Sequence, residues 1–131
     1  MTLTLSGLTA GQSVEATFDL LILDSWDGRV SNNQGNDTFI FAMDSNVMLD
    51  TTFSNVNGSN QDYPNARGLG NFAPQTGALN VDKNHGGTLD NGYYSNSLYR
   101  FTFSSLATRD TMVLSFITRI YKALVTIAGG F

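Results

Sequence analysis

Apolar residues recur at every second position from Val14 to Ile22. Val14, Ala16, Phe18, Leu20 and Ile22 share one face, while Glu15, Thr17 and Asp19 begin the other. Period-two alternation predicts a β-strand from Ser13 to Leu23. Leu21 and Leu23 complete the polar face with apolar side chains, so the strand starts half exposed and ends buried on both sides. Asp24 continues the Val14–Ile22 face, and an acid there suggests a reason beyond packing. Thr2–Leu5 reads as a short opening strand, followed by a turn at Gly7-Leu8-Thr9-Ala10-Gly11.

The same alternation continues further along. Thr38 to Met43 and Val47 to Phe53 flank Asp44-Ser45-Asn46, which predicts a hairpin. From Ser97 to Ser104, Tyr99, Phe101 and Phe103 form the core face, opposite Leu98, Arg100, Thr102 and Ser104. A turn at Thr108-Arg109-Asp110 leads to a strand from Met112 to Thr118, with a further strand expected within Ile120–Ile127. Residues 112–128 contain few breakers, so a helix is the alternative there, but their Val, Ile, Thr and Phe content favours strand. A loop-rich excursion covers about residues 54–96, and its Ser54–Thr88 part holds both prolines, Pro64 and Pro74. A structureless loop of that length is unusual in a compact domain, so it is expected to pack locally around Tyr63, Leu69, Phe72 and Leu79. No repeat and no linker interrupts residues 1–131, which read as one domain.

Composition sharpens this picture. Ten Asp and thirteen Asn stand against a single Glu. Asx residues bond to nearby backbone and favour turns, whereas a helical bundle would use Glu, Lys and Leu. The expected fold is therefore all-β, an antiparallel jelly-roll-like β-sandwich. Seven scattered Lys and Arg and a net charge of −4 argue against a nucleic-acid surface. No Cys is present, which excludes thiolate chemistry and disulfide bracing. No signal peptide is visible, and the apolar stretch from Ala123 to Phe131 is too short to span a bilayer.

Candidate chemistry concentrates in Asp24-Ser25-Trp26-Asp27-Gly28 and Asn36-Asp37-Thr38-Phe39. Ca²⁺ takes about 6–8 oxygen ligands. Asp24, Asp27, Asn36 and Asp37 can supply several, with Asn32, Asn33 and carbonyls turned inward at Gly28 and Gly35. An Asx-rich turn with solvated carboxylates is the alternative. Trp26 reads as a core plug or as a sugar-stacking ring. Tyr93, Tyr94 and Tyr63 are candidates for an exposed aromatic patch, against cross-strand packing. His85 stands alone, too few for a zinc site of the usual kind. Only Glu15 and turn-bound Asp residues are on hand for paired-carboxylate glycan hydrolysis, which remains a third-ranked reading. Asn36-Asp37-Thr38 and Asn57-Gly58-Ser59 match N-glycosylation acceptors.

Phe18-Asp-Leu-Leu-Ile-Leu-Asp-Ser-Trp-Asp-Gly28, Asn36-Asp-Thr-Phe39, Leu49-Asp-Thr-Thr-Phe-Ser-Asn55, Gln61-Asp-Tyr-Pro64 and Tyr99-Arg-Phe-Thr-Phe103 occur in that order. Together they resemble secreted and cell-surface β-sandwich modules, over roughly residues 3 to 118. The resemblance implies a jelly roll outside the cell or on its surface, with acidic loops braced by structural Ca²⁺. Its work would be non-catalytic adhesion to a glycan or an extracellular matrix protein. The sequence departs from the pattern at its end. Thr118 to Phe131 stands where a Gly-rich turn and an Asp-Glu-Ser-Trp-Gly-Leu-Asp-Asn closing segment are usual. An acidic ligand is thereby missing, and the closing strand is missing or replaced by Ile120–Ile127. That ending motivates a second expectation, a self-assembling subunit that pairs through an open edge or through its C-terminal strand.

Overall fold

The computed structural model describes residues 1–29, 37–82, 96–119 and 123–126. These residues contain strands and turns and no helix. Strands β1 (Thr2–Leu5), β2 (Ser13–Ile22), β3 (Thr38–Met43), β4 (Asn46–Thr52), β5 (Asn80–Asp82), β6 (Asn96–Leu106), β7 (Met112–Thr118) and β8 (Ala123–Thr126) follow in sequence order. They form two four-stranded sheets, β1-β7-β3-β4 and β5-β6-β2-β8. Every strand pair is antiparallel. This is the all-β sandwich that the alternation predicted. The polypeptide switches sheet between β1 and β2, β2 and β3, β4 and β5, β6 and β7, and β7 and β8, while β3 and β4 stay together as a hairpin.

The core lies between the layers. Val14, Ala16, Phe18, Leu20 and Ile22 are all buried, as the period-two pattern requires of one face of β2. Phe18 is the hub. Its ring meets Phe41 and Phe116 of the opposite sheet at 4.8 and 5.1 Å, and Phe101 of its own sheet at 5.5 Å. Such pairs add about 0.5–1.5 kcal/mol each beyond simple area burial. The outer face of the β2–β6 pair is polar: Thr17 and Thr102 share a hydrogen bond of 3.0 Å, and Arg100 forks onto Asp19 at 2.7 and 2.8 Å. That guanidinium holds the Asp19 carboxyl below its ordinary value.

The β3–β4 hairpin closes through Asp44 and Ser45. Asp44 has a φ of 53°, a left-handed conformation that Asp tolerates, and its carboxylate accepts the Val113 N–H at 2.8 Å. Residues Ala123–Thr126 form β8 rather than part of a helix, and β8 pairs with β2 from Asp19 to Ile22.

The excursion is a partial correction. Tyr63 packs on the core, but Leu69 and Leu79 are 74% and 61% exposed. The segment is held by buried polar side chains that satisfy its irregular backbone, not by an apolar plug of its own.

Candidate functional site

Where β2 leaves its sheet, backbone groups lose their ladder partners and must be satisfied otherwise. Asn55, 3% exposed, does this. Its Nδ2 donates to the carbonyls of Ile22 at 3.0 Å and Asp24 at 3.1 Å, and its Oδ1 accepts the Ser97 hydroxyl at 2.6 Å. Its backbone N–H donates to Trp26 O at 2.8 Å. Asp24, with a φ of 59°, turns the backbone, and its N–H donates to Asn96 Oδ1 at 3.2 Å. One amide thus ties the loop start to β6.

Asp27 forms an isolated bridge with Ser54, which carries it to the front of β3. Asp37 immediately precedes β3 and is 2% exposed. Its Oδ2 accepts the Asp27 backbone N–H. Its own N–H donates to Gly28 O at 3.2 Å, and its carbonyl accepts Phe53 N–H at 3.3 Å. Burial pushes the Asp37 carboxyl up to about 6; the Asp27 N–H opposes that rise and the Asp27 charge adds to it. Among the described residues, neither acid forms an ion pair with Arg or Lys. Gly28 is required here: its φ is +64°, and a Cβ would lie 2.3 Å from Asn60 O.

A second polar knot braces this loop from below. Gln61 and Asp62 are fully buried. Gln61 Oε1 accepts the Ser54 and Gln75 N–H groups, each at 3.1 Å, and the Tyr99 hydroxyl at 3.4 Å. Its Nε2 donates to Tyr63 O at 3.1 Å and Thr76 O at 3.0 Å. Burial pushes the Tyr99 phenol up to about 12, so it stays neutral. Asp62 accepts Thr52 Oγ1–H and Gly70 N–H, each at 3.1 Å, and faces Arg29 Nε at 3.5 Å. Arg29 also donates to Gly70 O at 2.5 Å. A Cβ on Gly70 would sit 1.9 Å from Asp62 O, a backbone clash with no flexible partner to yield. Gly70→Ala is therefore expected to lower stability by more than about 3 kcal/mol in urea denaturation. A smaller loss would mean that the loop relaxes away from Asp62.

The sequence-derived candidates meet different fates. Asp27 and Asp37 come together. Among the described residues, no three His, Cys, Asp or Glu side chains gather as a metal-holding group. Asn36, Tyr93 and Tyr94 lie outside the described residues, as do Asn32, Asn33, Gly35 and His85. Trp26 is a correction: it is 1% exposed, which leaves the core plug and removes the sugar-stacking ring. Tyr63 is half-buried, with its ring against Phe53 at 5.1 Å and Tyr99 at 5.4 Å, and Gly77 beside it, so it packs on the core rather than forming a platform. In the two acceptor triplets, Asp37 and Thr38 are buried while Asn57 is exposed. Asn55 and Gln61 belong to the ordered motifs, yet nothing in their spacing marks them as buried clamps. The available signal was an amide side chain within a loop so poor in Lys and Glu.

The donor chemistry fits a hard cation in part. Two neighbouring carboxylates, one of them buried, suit Ca²⁺, but they fill only a share of its about 6–8 oxygen positions. No family model, no curated protein and no solved structure matches this chain.

Proposed function

We propose that this protein is a non-catalytic adhesion or glycan-binding β-sandwich module that works outside the cell or at its surface. Structural Ca²⁺ braces its 24–37 loop. The supporting observation is the Asp27–Asp37 pair, in which a buried carboxylate faces a second acid with no Arg or Lys ion-paired to either among the described residues. A divalent cation would offset the desolvation and repulsion that raise the Asp37 carboxyl. Asp27 and Asp37 would hold it, joined by loop oxygens such as Asn36. The bound ion would supply charge neutralisation and nothing more, while the Asn55 and Gln61 clamps keep the loop ends in place. The order of the sequence motifs supports the extracellular setting. A hydrolase reading ranks third, because only Glu15 and turn-bound Asp residues are on hand for paired-carboxylate catalysis. No helix among the described residues is long and apolar enough to cross a membrane.

One observation favours self-association as the second reading. β8 covers β2 only from Asp19 to Ile22, so among the described residues Ser13 to Phe18 are paired on the β6 side alone. A cavity of about 470 Å³ beside this edge is lined by Leu5, Leu8 and Val14 among others. The terminal strand itself is paired within the protein, so self-association would use a sheet edge for strand addition.

Calcium titration of chelator-stripped protein, followed by calorimetry, thermal unfolding and solution mass, tests both readings. At millimolar Ca²⁺, a site of extracellular-module affinity should raise the unfolding temperature by roughly 5–10 °C in a monomer. Absence of both heat and shift sinks the calcium reading. A mass that rises with protein concentration supports edge pairing.

A further inference from the structure

We infer that Asn57 is a site of spontaneous chemical modification, converting in the folded protein to aspartate and isoaspartate. Among the described residues, Asn57 is the one asparagine followed by glycine. Glycine has no Cβ to shield its backbone nitrogen. Both residues are exposed, and a Cβ on Gly58 would have nothing within 4 Å. Ser59 N–H donates to Val56 O at 3.0 Å, closing a four-residue turn with Gly58 third at a φ of +86°, as in a type II turn. Among the described residues, no hydrogen bond restrains the Asn57 amide. Asn55, two residues earlier, is the contrast: its buried amide is held by Ile22 O, Asp24 O and Ser97, and a bulky Val56 follows it.

The reaction needs only water and base. The Gly58 backbone nitrogen gives up its proton and attacks Cγ, the amide carbon of the Asn57 side group. The new bond from that nitrogen to Cγ closes a five-membered succinimide, and the Cγ–Nδ2 bond breaks to release ammonia. Water then opens the ring. Attack at Cγ restores the normal backbone with aspartate. Attack at the backbone carbonyl of residue 57 routes the backbone through the side group as isoaspartate. Either product is one charge more negative than the present net −4.

The location gives this chemistry a structural consequence. The turn lies between Asn55, which clamps the Asp24–Trp26 segment, and Asn60, whose carbonyl accepts the Arg29 N–H at 2.9 Å. Isoaspartate inserts an extra backbone atom between these two anchors. The modified fraction should therefore unfold at a lower temperature than the parent.

The test is ageing of the folded 131-residue protein at mildly alkaline pH, with charge separation and peptide mapping that distinguishes the two isomers. A synthetic peptide of residues 54–60 runs beside it. The expected result is an acidic species carrying the amide-to-acid mass gain at position 57, in both isomers, and its absence from Asn57→Gln. No conversion at position 57 while the peptide converts would overturn the inference.

Discussion

Asp37→Asn should make the chelator-stripped protein more stable at neutral pH and abolish its response to calcium. The side chain is 2% exposed and its carboxyl is pushed from 3.8 up to about 6, first by burial and further by the Asp27 charge. A carboxyl whose value is higher in the fold than in the unfolded state binds protons preferentially in the fold. Its stabilising contribution is complete below about pH 4 and disappears as pH rises through about 6. At pH 7 the ion-free wild type therefore carries a penalty of roughly 1–3 kcal/mol. An amide removes the charge and keeps an oxygen to accept the Asp27 N–H. In chelator, the unfolding temperature of the variant should exceed that of wild type at pH 7 and equal it near pH 4. With calcium present the order should reverse, because only the carboxylate gains from the ion. A variant less stable than wild type in chelator would show that the Asp37 charge is already compensated. An unchanged calcium shift would remove Asp37 from the ligand set.

Gln61→Ala should be the most damaging polar substitution in the excursion, lowering unfolding free energy by about 3–5 kcal/mol. The truncation orphans the Ser54 N–H and two carbonyls, on Tyr63 and Thr76, and leaves the Gln75 N–H with Ser54 O alone, at 3.0 Å. Each buried unsatisfied group costs about 1–3 kcal/mol, less whatever water recovers. It also removes the Gln61 acceptor from the Tyr99 hydroxyl. A domain of this size has about 5–15 kcal/mol in all, so the variant should sit near its stability limit. Gln61→Glu separates donor from acceptor roles: it preserves the acceptor side and loses the two donated bonds, and should also destabilise. Urea denaturation with tryptophan fluorescence reads the change, since Trp26 lies in the core. A loss below about 1 kcal/mol would mean that the excursion contributes little to the cooperative unit.

Much of the sandwich was legible from residue order because burial in a sheet has a period of two. Val14 to Ile22 announced a core face, and so did Tyr99, Phe101 and Phe103. The Asp44-Ser45 turn was legible because it is local. Leu69 and Leu79 misled because an apolar residue in a loop gives no sign of whether a core reaches it. Trp26 was ambiguous for the same reason: a ring between two acids suits a binding loop or a plug, and only the position of the opposite sheet decides.

Residue order alone was enough for the all-β class, most strand positions and the inward faces, since each depends on neighbours two residues apart. It also brought Asp24, Asp27 and Asp37 forward as one acidic group. Which of those acids meet had to wait for the folded arrangement. Folding pairs Asp27 with Asp37 and turns the Asp24 carbonyl inward onto Asn55. It likewise makes Asn55 and Gln61 the clamps of the loops, through bonds that cross 33 residues to Ile22 and 38 to Tyr99. Hydrogen-bond partners so far apart leave no periodic trace, because what selects them is the need to satisfy a buried backbone wherever two distant segments happen to cross.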